Sequence, residues 1–302
     1  MRRLVVAALL ALAAQAVAAV APTECSPVDT PGSLMAWPDT RGLRIGIALG
    51  SGSVHGLAHI GVLQELEARG VPVEVVAGTS VGAIVGGLWA RGYSADEIAS
   101  LSRASDWDEA GRFSPTFQGL YSSRGLQGQM KKLLGDVPVE AWPKRFGAVA
   151  TELATGERRL LARGDGALAI QASSAMPVMF SPVVVDGQSL ADGALVEPVP
   201  IDAARDLGAD FVIAIDVAYR PYEEPASGLV QSGFQAMHVL ANSLAEAQAP
   251  RADFRLRMDL HQGYMKCGAG AMIGLGRGGM RATWPQLVAA ADAARKRRAE
   301  GK

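Results

Sequence analysis

Residues 47–93 read IALGSGSVHGLAHIGVLQELEARGVPVEVVAGTSVGAIVGGLWARGY. The apolar run Arg44–Leu49 passes straight into Gly50-Ser51-Gly52-Ser53. Leu57, Ile60, Leu63 and Leu66 then recur at helical spacing, and Gly70 followed by Pro72 ends that helix. Val73–Ala77 is a second apolar run. It meets Gly78-Thr79-Ser80-Val81-Gly82, and a second helical stretch continues to about Ala90, where Gly92 closes it. Strand, helix, strand, helix in so short a span predicts a βαβ unit. The strands of such a unit lie parallel in a sheet covered by helices on both faces, which is an α/β fold.

Outward from this unit the signals weaken. Residues 19–42 carry Pro22, Pro27, Pro31 and Pro38 without periodicity and read as an irregular N-terminal segment. Residues 93–140 read as mostly helical with polar breaks, and Asp165–Ser174 as a helix. Val183–Val185 and Ser189–Leu190 suggest a hairpin around Asp186-Gly187. Phe211–Val217 is a buried strand, and residues 219–228 form a loop rich in Pro and Glu. Seven glycines between Gly263 and Gly279 predict a loop or mobile segment. The reading is one catalytic core over 43–220, with 221–302 a helical and loop part packed on the same domain. Its last helix carries the basic run Arg295-Lys296-Arg297-Arg298, suited either to anionic lipid headgroups or to a solvated helix end.

Composition narrows the function. Of 302 residues, 49% are apolar and 20% charged, with a formal net charge of −1, which excludes a disordered tail and gives no basic surface for nucleic acid. Arg2 and Arg3, the apolar run Leu4–Ala14 and the small-residue site Ala16-Val17-Ala18 form a signal-peptide pattern over 1–18. The expectation is an exported chain, periplasmic or secreted, whose net charge after cleavage is −3, because two arginines and no acids are lost. Pro22-Thr23-Glu24 before Cys25 excludes a lipoprotein anchor. Cys25 and Cys267 form either a disulfide or two free thiols; spacing does not decide between them.

Gly78-x-Ser80-x-Gly82 between a strand and a helix fits a nucleophile elbow, whose turn is too tight for side chains two residues either side of the serine. Gly50 to Gly56, GSGSVHG, also joins a strand to a helix and offers a row of backbone N–H groups to an oxyanion. A dinucleotide loop fits poorly, since the third glycine of G-x-G-x-x-G comes one residue late. Asp192 is singled out by its context, whereas Asp165-Gly166 and Asp186-Gly187 read as plain turns. His238 and His261 follow Asp192 in the order of a Ser-His-Asp triad, without a supporting motif. His59 reads as structural, and His55 with His59 lacks the central Glu of a zinc helix.

These pieces together resemble the bacterial patatin-like phospholipases, related to plant patatin and the catalytic domain of neuropathy target esterase. The likeness runs from about Ile45 to Val217 and is strongest in the opening stretch, in ATELATGE, and in IQASSAMPVMFSPVVVDGQSLADGALVEPVPIDAARDLGADFVIAIDV. The resemblance implies a three-layer α/β/α fold with a mainly parallel central sheet. It implies a serine acyl hydrolase of esterase, phospholipase A or lysophospholipase type, with Ser80 as nucleophile, Asp192 as base and no histidine relay. The oxyanion donors would be the N–H groups of Gly52, Ser53 and Val54, and the motif glycines are Gly50, Gly56, Gly78, Gly82 and Gly193. The family's oxyanion loop is normally Gly-Gly-Gly-x-Arg-Gly; here Ser51 and Ser53 replace glycines and His55 replaces the arginine. No metal, nucleotide or other cofactor is implied. The implied partner is a lipid or other acyl-ester substrate, met through a peripheral membrane contact, with Met176, Met179 and the segment Met265–Met280 either lining an acyl pocket or packing in the core. Two alternatives are a Ser-His-Asp hydrolase using His238 or His261, and a catalytically silent lipid-binding or envelope protein.

Overall fold

The computed structural model describes residues 33–104, 112–116, 119–218, 228–258, 260 and 267–300. Its elements in chain order begin with β1 (Ile45–Leu49), α1 (Leu57–Ala68), β2 (Val73–Thr79), α2 (Val81–Arg91) and α3 (Ala95–Ala104). The hairpin β3 (Arg112–Thr116) and β4 (Gly119–Ser122) follows, then α4 (Arg124–Leu134), β5 (Arg145–Glu152), β6 (Arg158–Leu161) and α5 (Gly166–Ser173). The chain continues through β7 (Val183–Val185), β8 (Gln188–Asp192), α6 (Ile201–Asp206), β9 (Phe211–Asp216), α7 (Leu229–Gln248), β10 (Phe254–Arg257) and α8 (Ala269–Ala299).

Hydrogen bonding joins eight strands in the succession β10-β9-β1-β2-β5-β8-β7, with β6 also on β5. The five strands from β10 to β5 are parallel; β6 and β8 run antiparallel to β5, and β7 runs antiparallel to β8. Alternation along the strands sends Ile45, Ile47, Leu49, Ile213 and Ile215 to one face, where α1, α2 and α8 bury them. Ala48, Ala77, Val212 and Ala214 point to the other face, against Ile201 and Ala203 of α6 and Ala245 of α7. The first layer is thick and the second thin, because the side chains are branched on one face and mostly alanine on the other. The result is the three-layer α/β/α arrangement that the resemblance implies, with helices on both faces of the sheet as the βαβ unit predicts.

Three sequence expectations are corrected. The middle of the chain is not only helical, since β3 and β4 interrupt it. The C-terminal part is not only helix and loop, since β10 extends the central sheet. The glycine-rich stretch is helix from Ala269 onward, with Gly263 outside the described residues. A Cβ on Gly276 would lie 1.9 Å from the carbonyl oxygen of Ala58 in α1, and one on Gly61 would lie 1.9 Å from that of Ile273 in α8. These glycines let α1 and α8 meet backbone to backbone. The helix-propensity cost of about 1 kcal/mol for each interior glycine is offset by burial of Met272, Ile273, Trp284 and Leu287.

Smaller features follow the sequence more closely. Asp186 and Gly187 both have left-handed φ, 48° and 79°, as the two-residue turn between β7 and β8 requires. Asp165 does more than turn the chain: its carboxylate caps α5 by accepting from the N–H groups of Ala167 and Leu168. Cys267 is disulfide-bonded; Cys25, the chain's only other cysteine, lies outside the described residues, as does the leader 1–18. The basic run of α8 is paired with acids, Arg295 and Lys296 with Asp292, Arg297 with Asp253 and Arg298 with Asp210. That pairing favours the reading of a solvated helix end. Among the described residues no helix is long and apolar enough to cross a membrane.

Candidate active site

Ser80 stands between the end of β2 and the start of α2 with φ 57° and ψ −124°, a conformation that costs an L-residue on the order of 1–3 kcal/mol and is held only where the surroundings impose it. They impose it here through close contacts. A Cβ on Gly78 would lie 2.4 Å from the Cα of Ala83, and one on Gly82 would lie 2.0 Å from the carbonyl oxygen of Leu49. The Ser80 N–H donates to the hydroxyl of Ser173 at 3.0 Å, and Thr79 Oγ1 donates to the carbonyl of Glu197 at 2.8 Å. Ser173, fully buried at the end of α5, was not singled out by sequence reasoning; no spacing rule links it to the serine elbow.

The register of β5 brings Asp192 to this serine. Ala148 pairs with Gly78 of β2 and with Leu161 of β6; Ala150 pairs with Asp192 of β8 and with Arg159 of β6. A strand has two edges, so β2 and β8 share the edge opposite β6. They run toward each other along it and stop at adjacent positions, Thr79 opposite Val149 and Asp192 opposite Ala150. The Ser80 side chain comes close enough to the Asp192 carboxylate to favour its ionised form. The carboxylate Oδ1 also accepts from the Ala194 N–H at 2.9 Å, and Thr151 Oγ1 donates to the Asp192 carbonyl at 2.8 Å. Asp192 is only 3% exposed. Burial lifts its pKa from the ordinary 3.8 to about 6, against the opposing pull of the hydrogen bonds from Ala194 and Ser80.

The loop after β1 is fixed at its root and open further on. Gly50 and Ser51 donate their N–H groups to the carbonyls of Ile215 and Pro198, at 3.0 and 2.8 Å. Among the described residues no backbone carbonyl outside the loop's own short helical turn takes the N–H groups of Gly52, Ser53 or Val54. Ser53 has φ 51°, in the left-handed region that its glycine counterpart adopts more easily. His59 is fully buried, and burial lowers its pKa to about 4, so the ring is neutral at neutral pH; its Nε2 donates to the Gly50 carbonyl at 2.8 Å. That bond is the structural role expected of His59. His55, in the place of the family's arginine, is also buried.

Two cavities meet at Ser80. One, of about 290 Å³, is walled by Val54, Leu57, Val81, Ile84, Leu126 and Phe180 and is almost wholly apolar. The other, of about 50 Å³, lies between Asp192, the loop residues Ser51 and Gly52, and the α7 residues Met237, His238 and Asn242. Ser53, Ser80 and Met176 border both. Of the methionines considered for an acyl pocket, Met176 lines one. Met272 and Met280 lie in the core beneath α8, and Met265 and His261 lie outside the described residues.

A serine on a strand–helix elbow thus stands beside a buried aspartate at the edge of an apolar cavity. Residues 47–205 match the family model of the patatin-like phospholipases, and the chain belongs to that family. It is 36% identical over 177 residues to an NTE family protein of Mycobacterium tuberculosis, covering 58% of this chain and 49% of that one. It is 31% identical over 190 residues to the lysophospholipase nte1 of Emericella nidulans, covering 58% of this chain and 12% of that one. The matched stretch thus spans about half the length of the mycobacterial relatives and less of the fungal ones. The crystal structure of VipD from Legionella pneumophila superposes with a TM-score of 0.53 at 15% identity, covering 82% of this chain and 66% of that one, a likeness of fold alone.

Proposed function

We propose that the protein is a serine acyl hydrolase that cleaves fatty-acyl esters of lipids through a Ser80–Asp192 dyad. One observation carries the reading: the Ser80 hydroxyl, at the junction of two cavities, lies beside a buried carboxylate whose pKa burial has raised into the range of a working base. Ser80 Oγ bonds to the ester carbonyl carbon as its proton passes to Asp192. The N–H groups of Gly52, Ser53 and Val54 receive the negative charge on the carbonyl oxygen. The carbon–oxygen bond to the alcohol then breaks, and the Asp192 proton leaves with that alcohol. Water repeats the sequence on the acyl-serine, giving up one proton to Asp192, and the fatty acid departs with Ser80 reprotonated. A histidine relay would need an imidazole between the two groups; the direct influence of the Ser80 side chain on the Asp192 carboxylate supports the dyad instead.

The apolar cavity suits the acyl chain, and Val54 at its wall is 42% exposed, suited to a peripheral contact with a lipid surface. We further propose export: the leader pattern and the disulfide at Cys267 both support an oxidising compartment. The N-terminal residue of protein recovered from an export-competent host should be Ala19, and recovery of the intact leader in soluble protein would count against cleavage.

The reading is tested by rapid-mixing hydrolysis of p-nitrophenyl octanoate, with mass spectrometry of the quenched enzyme. A burst and an octanoyl group on the peptide containing Ser80 are expected. The same ester should show kcat/KM rising through an acidic limb near pH 6, because Asp192 acts only when ionised. A limb near the ordinary carboxyl value, or an acyl group on another residue, would sink the assignment.

A further inference from the structure

The smaller cavity has a wall that the dyad chemistry does not use. Helix α7 contributes Met237, His238, Ala241 and Asn242 to it, across from Ser80, Asp192 and the loop residues Gly52 and Ser53. His238 and Asn242 are spaced i, i+4 and so lie on one face of the helix. Both are partly buried, whereas Val239 and Leu240 on the same helix are about half exposed. An imidazole and a carboxamide each both donate and accept hydrogen bonds. The apolar cavity on the other side of Ser80 takes the hydrocarbon part of an ester. The alcohol part, diverging from the acyl chain at the tetrahedral carbon, then has the smaller cavity beside α7 open to it.

We propose that His238 and Asn242 form a subsite for the alcohol portion of the substrate, and that this portion is uncharged and hydroxyl-bearing, as in a monoacylglycerol. The charge balance of the wall favours that class over a phosphate-bearing one: Asp192 is an acid, and the described residues lining either cavity include no lysine or arginine. A phosphate placed there would lie near a carboxylate with no cation among those residues to offset it. Burial also lowers the His238 pKa, so the ring is neutral at neutral pH and suits a hydroxyl better than an anion. The subsite rests on the acyl-hydrolase reading, since it is defined by which side of Ser80 the alcohol leaves from. His238 and Asn242 are specificity-determining residues in this scheme and take no part in proton transfer.

The test compares three octanoyl esters on the full-length protein: p-nitrophenyl octanoate, 1-octanoylglycerol and 1-octanoyl-lysophosphatidylcholine. In wild type, kcat/KM should be higher for 1-octanoylglycerol than for the lysophospholipid. His238→Ala and Asn242→Ala should each raise KM for 1-octanoylglycerol about tenfold, the loss of one hydrogen bond to a buried group, with kcat nearly unchanged. Both variants should lose clearly less on p-nitrophenyl octanoate than on 1-octanoylglycerol, since that alcohol portion carries no hydroxyl. His238→Gln, which keeps a donor and an acceptor, should recover part of the lost affinity. Equal losses on the p-nitrophenyl and glycerol esters would overturn the subsite, because the residues would then serve folding or the chemical step. So would unchanged kinetics on all three esters, or a preference for the lysophospholipid that the variants abolish. Activity on p-nitrophenyl octanoate that survives Ser80→Ala would instead remove the acyl-hydrolase reading, and the subsite with it.

Discussion

Ser80→Ala and Asp192→Asn are each expected to lower kcat on any acyl ester by about a thousandfold or more, with the fold intact. Both substitutions preserve the shape of the elbow. An asparagine at 192 still accepts from the Ala194 N–H, yet it takes no proton from Ser80. The two variants should part company in stability. Asp192 is buried, and its folded-state pKa, about 6, stands above the ordinary 3.8. Below about pH 4 the carboxyl is protonated whether the chain is folded or not, and the site costs nothing. Between the two values the unfolded chain ionises first and stability falls; above about pH 6 the whole penalty is present. Asp192→Asn escapes it, so it should be more stable than wild type at pH 8, by up to about 3 kcal/mol, and no more stable at pH 4. Thermal melts of both variants at the two pH values decide the matter. A less stable Asp192→Asn protein at pH 8 would mean that the carboxylate is held by interactions stronger than its burial cost.

Gly276→Leu should destabilise the protein by more than about 3 kcal/mol, far above the usual effect of a surface substitution. The reason is the 1.9 Å separation between a Cβ at that position and the backbone oxygen of Ala58: no rotamer change relieves a clash with a main chain. Helices α1 and α8 would have to move apart, opening the layer that contains Trp284 and Leu287. Because α1 begins where the loop carrying Gly52 and Ser53 ends, hydrolysis should fall with stability. Gly270, six residues earlier in the same helix, has open space around its Cα. Gly270→Ala should therefore stabilise by up to about 1 kcal/mol and leave activity alone. Urea denaturation of the pair is the check; a similar response of the two variants would show that backbone contact does not hold the helices together.

The contrast between these two glycines shows where the sequence stops being readable. Gly78 was interpretable because the contact it permits, with Ala83, lies five residues on, and Gly82 because it shares that short motif, although its own close contact is with Leu49. At Gly276 the permitting contact is with a helix more than two hundred residues away, so the local signal read as loop. Strand β10 failed for a related reason. Its four residues, Phe254–Arg257, carry two arginines, and only the fold supplies their acids, Asp216 and Glu246. Strand β5 was legible only as the motif ATELATGE, although its eight residues are buried on all but the first. The candidate dyad was accessible because both members sit in short motifs of a known family. Ser173 lies inside the quoted stretch that begins IQASSAMP, yet nothing local ties it to the elbow; His238 and Asn242 come to the site on a helix with no motif of its own, placed there by tertiary packing.

The head-on arrangement of β2 and β8 along one edge of β5 ties the position of a carboxylate to the length of a hairpin. Asp192 lies six residues beyond Asp186, in a strand whose register is set by the two-residue turn at Asp186 and Gly187. Side chains in a strand alternate between faces, so adding or deleting one residue in β8 would turn that carboxylate to the far side of the sheet. A two-residue change would restore its face but displace it by about 7 Å, more than a hydrogen bond can span. Chimaeras that graft new loops onto this hairpin must therefore keep every residue between the turn and Asp192.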